Sequence, residues 1–212
     1  MLFMPLTAAV GKLFGEGSNL EIKLLQKNLE QVLKSTTVQD SLDLVEAIKL
    51  AAPGGLGKVP ELDVYEESTI AEIKIKNIAM YNLMEKSAPY DRISEEWVTC
   101  FKISFDFGYP TLLSIYENTK DINLAIVATF LYILASYPDT LIARKVGKEK
   151  AKEISEEAKE IFALGYYTKE FFQRLHEFDK KLRAYDNKLN PGTTADLTAT
   201  SIFIALLLGL RL

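Results

Sequence analysis

The chain has little of what many site chemistries require. Its 212 residues contain one cysteine, Cys100, and one histidine, His176. A single cysteine excludes an intramolecular disulfide and any cysteine-based zinc site. A single histidine excludes a multi-histidine metal centre. Positive charge is not in excess either. The net charge is −4, so no long-range field draws the protein to nucleic acid or acidic lipid. Long apolar runs are missing as well. The stretches 124–137 and 197–210 are the longest, each shorter than the ~20 residues a bilayer needs, and each carries Thr, Ser or Gly. They read as buried helices, with no membrane span. The start, Met1-Leu2-Phe3-Met4-Pro5-Leu6, lacks the basic region and long apolar core of a signal peptide. There is no fixed-period repeat and no low-complexity linker. These absences suit a reducing, cytoplasmic setting.

Helical patterning fills the chain. Hydrophobic residues make up 48% and charged residues 25%, enough for a packed core. Ser18-x-x-Glu21 reads as a capping box, followed by Leu25, Leu29, Val32 and Leu33 on one face. Thr37 opens a second helix. The spacing then predicts helices over 68–86, 94–105, 121–137, 147–164, 168–186 and 194–210. Breaks fall at Pro53-Gly54-Gly55, at Ala88-Pro89-Tyr90-Asp91 and at Gly108-Tyr109-Pro110. No stretch alternates long enough to demand a sheet. The fold class is all-α, a compact multi-helix array, read as a single helical domain over 1–212.

Chemistry concentrates at Asn190-Pro191-Gly192-Thr193-Thr194-Ala195-Asp196-Leu197. Thr193 can cap the last helix, with Asp196 three positions later. Gly192 lets a ligand or backbone come close. The helix start supplies N–H groups and the positive dipole end to phosphate oxygens, and Asp196 can hold a divalent cation bridging phosphates. The plain alternative is an ordinary helix start. A second candidate is Pro138-Asp139-Thr140-Leu141-Ile142-Ala143-Arg144-Lys145-Val146-Gly147. There Arg144 and Lys145 suit phosphate, and Asp139 suits a metal or hydroxyl. The alternative is a helix stop with solvated charges. The run from Pro53 through Gly57-Lys58-Val59-Pro60 is not a P-loop, because Val59 and Pro60 stand where Ser/Thr and a helix belong. Asp106-Phe107-Gly108 matches a kinase tripeptide with no accompanying kinase motif. His176 reads as a partly exposed structural residue, and Cys100 as a small core residue instead of a nucleophile.

The run Lys188-Leu189-Asn190-Pro191-Gly192-Thr193-Thr194-Ala195-Asp196-Leu197-Thr198-Ala199 resembles the C-terminal signature of the triphosphoribosyl-dephospho-CoA synthase family. Three further stretches agree in order: Gly57-Lys58-Val59-Pro60-Glu61-Leu62-Asp63, then Asp139-Thr140 through Arg144 to Gly147, then Phe178-Asp179-x-x-Leu182-Arg183. The resemblance covers essentially the whole chain and is to an archaeal-type member. The family's upstream Pro-Lys-Pro-Gly-type and Asn-Thr-x-x-Gly motifs do not occur, so the resemblance implies an absent N-terminal segment. The apolar face of Leu2, Phe3, Leu6 and Val10 is then expected to be underpacked or covered by a partner chain, which suits a homodimer.

The resemblance implies transfer of the triphosphoribosyl group of ATP to the 2′-hydroxyl of 3′-dephospho-CoA, or a related acceptor, with release of adenine. It implies ATP and a dephospho-CoA-like acceptor as small-molecule substrates, with Mg²⁺ on the phosphates. In that setting Gly192, Thr193 and Thr194 would cradle phosphate. Asp196 and Asp139 would be metal ligands or hydroxyl acceptors, Arg144 a phosphate clamp, and Asn190 a loop or nucleotide contact. These residues do not single out a general base. Two other readings remain: a catalytically impaired nucleotide-binding or interaction module of the same fold, and a helical protein with no small-molecule site.

Overall fold

The computed structural model describes residues 1–52, 62–184 and 186–211. The loop candidate at 53–61 therefore lies outside the described residues; only Leu62 and Asp63 of it are seen. Among the described residues there are twelve α-helices, one π-helical turn and no strand, as the patterning requires. Contacts sort the chain into two compact units, Met1–Cys100 and Phe101–Leu212.

In the first unit, α1 (Phe3–Gly15) packs on α2 (Ile22–Lys34). Leu6, Ala9 and Leu13 are fully buried, and so are Leu25, Leu29 and Leu33. The expectation of an underpacked first helix is corrected in part. Leu2 and Leu6 are buried within the chain and Val10 is half-buried, whereas Phe3 remains exposed together with Met4 and Phe14. Ser18 does not cap α2. The helix begins later, with Glu21 at the cap position and no side-chain cap bond.

α3 (Val38–Ala51) does start at Thr37, through a reciprocal capping box with Asp40. Hydrogen bonds from the Thr37 hydroxyl and N–H hold the Asp40 carboxyl below its ordinary value. The helix predicted over 68–86 is two helices, α4 (Ser68–Ile75) and α5 (Met80–Ser87). Asn77 adopts a left-handed conformation between them, and the Ile78 N–H returns to the Ile73 carbonyl. The turn drives Ile78 into the core beside Val45 and Ile73, and leaves Ile75 in solvent. α6 (Arg92–Val98) follows, capped by Asp91.

The second unit places the candidate site. The predicted stop at Gly108-Tyr109-Pro110 is overturned. A π-helical turn, Ser104–Gly108, runs directly into α7 (Tyr109–Thr119), with Pro110 in the first turn, where its missing N–H costs nothing. Gly108 owes its identity to packing. A Cβ there would sit 1.9 Å from Ser201 Oγ on the last helix. Asp106-Phe107-Gly108 is thus a packing element of this turn.

α8 (Ile122–Ser136) is buried along much of its length and capped by Asp121. Pro138 follows, and a helix not expected from the sequence, α9 (Thr140–Val146), begins at once. Gly147, at φ 101°, turns the chain into α10 (Lys148–Ala163). α11 (Lys169–Arg183) and α12 (Gly192–Leu207) complete the chain close to their predicted spans. One core joins α8, α9, α10 and α11 through Leu131, Leu134, Ile142, Ile154, Phe171 and Phe178. A second joins α7, α8 and α12 through Leu112, Ile115, Ala125, Ala128 and Ala205. No single helix among the described residues is long and apolar enough to cross a membrane. The α8–α9 pair reaches that length and composition only when taken together, bent by 59°.

Two glycines give opposite outcomes. Gly108→Ala must displace Ser201 and is expected to destabilise by about 1–3 kcal/mol. Gly11→Ala, with nothing within 4 Å of the new Cβ in α1, is expected to stabilise by about 0.5–1 kcal/mol. Thermal unfolding of the two variants against the parent chain checks both signs.

Candidate functional site

Two helix starts meet at one carboxylate. Pro138 ends α8, and Asp139 becomes the N-cap of α9. Its Oδ1 accepts from the Leu141 N–H at 2.8 Å and the Ile142 N–H at 3.0 Å. Its Oδ2 accepts from the Thr194 N–H and the Thr194 hydroxyl, both at 2.8 Å, in the first turn of α12. Asp139 is only 2% exposed, so this is a buried anion with every acceptor position on its carboxylate in use. It also faces the positive ends of two helix dipoles, which compensates part of its desolvation. Beside it the Thr140 and Thr193 hydroxyls lie 3.2 Å apart and share a hydrogen bond.

This geometry redefines several expected roles. Thr193 does not cap α12. The helix starts two residues earlier than predicted, at Gly192, with Pro191 in the cap position and no side-chain cap bond. The acceptor that Thr193 was expected to provide comes instead from Asp139 across the helix pair. Gly192 does allow a close approach, but the neighbour is Leu141 of α9, whose Cδ2 would stand 2.6 Å from an added Cβ. The Gly192 N–H is bonded to the Asn190 carbonyl at 2.9 Å, which gives Asn190 a backbone part in the turn; its side chain is exposed. Two of the first three N–H groups of α12, those of Gly192 and Thr194, are therefore committed inside the protein.

The structure brings Asp139, Gly192, Thr193 and Thr194 together, with Thr140 and Leu141 as partners that sequence reasoning quoted but gave no role. A helix-start signal was available for them: Asp139 directly after Pro138 is a strong N-cap pattern. Asp196 lies two residues beyond Thr194 and is exposed. Arg144 is half-buried in the last turn of α9, the helix that packs on α12. Among the described residues no group of three or more His, Cys, Asp or Glu side chains is placed to hold a metal ion.

Cys100 and His176 fall elsewhere. Cys100 sits in the left-handed region, with its Sγ–H directed at the Gln26 carbonyl at 3.3 Å. Burial, reinforced by Glu30 and Glu96, pushes its thiol up to about 11. A proton held that tightly gives a poor nucleophile at neutral pH. His176 is exposed on α11.

A family model described as ATP:dephospho-CoA triphosphoribosyl transferase matches residues 1–211. A crystal structure from Archaeoglobus fulgidus, provisionally described as a triphosphoribosyl-dephospho-CoA synthase, superposes with a TM-score of 0.75 at 31% sequence identity. The match covers 99% of this chain and 80% of that one. No curated protein matches the chain.

Two expected outcomes follow from the joint and the thiol. Asp139→Asn turns an amide N–H₂ toward donors on one side or the other, and should destabilise by about 2–4 kcal/mol. Thr194→Val, which keeps the N–H bond, should destabilise by about 1 kcal/mol. Denaturant unfolding gives both values. For Cys100, alkylation by iodoacetamide at pH 8 should run about 100-fold slower in the folded protein than in the unfolded chain. The gap should close as pH rises toward the folded value, because the raised value keeps the folded thiol protonated through that window.

Proposed function

This chain belongs to the ATP:dephospho-CoA triphosphoribosyl transferase family, and from that premise we propose that it moves the triphosphoribosyl group of ATP to the 2′-hydroxyl of 3′-dephospho-CoA, releasing adenine. The observation that carries the reading to a site is the Asp139–Thr194 joint. It fixes the starts of α9 and α12, and with them Arg144 and Asp196, in one rigid frame.

The reaction exchanges one bond at the anomeric carbon for another. The C1′–N9 bond of ATP breaks and its electron pair leaves with adenine. The acceptor 2′-oxygen bonds to C1′, its proton departs, and the released base gains one. The reacting carbon passes through oxocarbenium character, as in glycoside hydrolysis. Much of the barrier to such a transfer is removed by holding two reactants in register. A rigid two-helix frame serves that need.

Within the frame, Asp139 is a positioning residue. Its carboxylate is saturated by the protein's own donors, so it acts through the turn it locks. Thr193 and Thr194 shape that turn, and Asn190 closes the loop in front of it through its carbonyl. Arg144 on α9 serves as the phosphate clamp. Asp196, exposed and two residues past the joint, suits a cation that arrives with the nucleotide. Mg²⁺ characteristically takes one or two carboxylates together with substrate phosphates, and does not require a cage built by the protein alone. Such an ion would neutralise charge on the triphosphate.

Incubation with Mg·ATP and dephospho-CoA, followed by chromatography of free adenine, tests the proposal. Wild type should release adenine in proportion to a new acceptor product. Asp196→Ala should lose at least about 100-fold in rate, with thermal unfolding as the check that the variant still folds. Stoichiometric binding of Mg·ATP with no adenine release would point instead to a nucleotide-binding module.

A further inference from the structure

An open groove of about 670 Å³ runs between α8, α11 and α12, entirely within the second unit. Its size falls in the range of sites that hold a drug-sized ligand. The wall from α12 is made low by small residues, Ala195 and Ala199, one helical turn apart. The facing walls carry Phe130 of α8 and Phe172 and Leu175 of α11. Phe172 is 49% exposed although apolar, and Val127, on the same wall as Phe130, is 38% exposed. Polar groups stand on the α11 wall: His176, Asp179 and Arg183, the last two paired through Arg183 Nε to both carboxylate oxygens at 2.9 and 2.8 Å.

The groove's position ties it to the proposed site. Its α12 wall starts at Ala195, the residue after Thr194, and extends to Ile202, about 10 Å along the helix at 1.5 Å per residue. It therefore begins one residue past the joint along α12 and leads away from it over largely apolar surface. The Thr198 hydroxyl within it is already spent on the Thr194 carbonyl at 2.8 Å.

We propose that this groove binds the pantetheine arm of the acceptor, with the arm's nucleotide end at Ala195 and its far end toward Ile202. The proposal rests on the transferase reading above, which supplies the acceptor. The chemistry favours the arm over a purine. A purine carries ring nitrogens and, in adenine, an amino group, which apolar walls would leave unpaired. The arm is long and flexible, with a gem-dimethyl centre and methylene links that profit from apolar contact. Its few amides and hydroxyl can turn to the open side or to His176, Asp179 and Arg183. The groove then decides which 2′-hydroxyl is presented, since adenosine 5′-diphosphate offers the same hydroxyl without the arm.

Calorimetric titration with dephospho-CoA and with adenosine 5′-diphosphate tests this without requiring turnover. Wild type should bind dephospho-CoA at least about tenfold more tightly than adenosine 5′-diphosphate. Phe172→Ala, at an exposed position, should narrow that ratio, and Ala199→Phe, which fills the groove, should abolish it. Both should leave adenosine 5′-diphosphate affinity unchanged, with thermal unfolding as the check on folding. Equal affinities in wild type, no binding of either ligand, or a ratio that neither variant moves would overturn the proposal. Adenine release measured on the same wild-type preparation separates the two claims. An intact preference with no adenine released would sink the transferase reading and leave the groove's role standing. Adenine release with no preference would do the reverse.

Discussion

A buried carboxylate with four donors is the constraint around which the second unit is arranged. At 2% exposure Asp139 has these donors in place of water. The donors come from two chain segments 55 residues apart in sequence. Satisfying one side chain therefore fixes the relative placement of α9 and α12, and α12 in turn packs on α7, α8 and the π-helical turn. Helix dipoles act in the same direction as the hydrogen bonds, since both helices present their positive ends to the charge.

The same joint explains why α12 starts as it does. A helix start is commonly a place where N–H groups await a ligand, and anion binding is the general use. Here the protein supplies its own anion to part of that start. In the function proposed above, ligand chemistry falls to the exposed Asp196 and to Arg144, while the interior of the turn sets geometry.

Much of the fold was legible because long amphipathic helices announce themselves. The spans of α3, α10 and α11 follow apolar periodicity, those of α8 and α12 follow long apolar runs, and Thr37 and Thr168 mark true starts. What periodicity missed was short or interrupted. α9 has seven residues, too few to display a period, and only its Pro-Asp start betrays it. α7 was hidden by Gly108 and Pro110, which read as a break. In fact the glycine answers Ser201 and the proline sits where a helix tolerates it. Asn77 was invisible within an apparently continuous helix, because a left-handed asparagine differs from a helical one in backbone angle alone. Asp139, Gly192, Thr193 and Thr194, which the structure brings together, stood out in the sequence through their motifs. Their contacts did not, because a carboxylate's partners are a property of three dimensions. Nothing in the sequence said that Asp139 would spend both oxygens on the protein itself.

The contact between Gly192 and Leu141 carries a consequence for sequences related to this one. The atom in the way of a Cβ at position 192 is the far end of the Leu141 side chain, which can turn aside for one more carbon. A bulkier residue at 192 would press on α9 itself and strain the bonds from Thr194 to Asp139, unless position 141 carried a smaller side chain. Related chains with a large residue at 192 are therefore expected to carry a small one at 141.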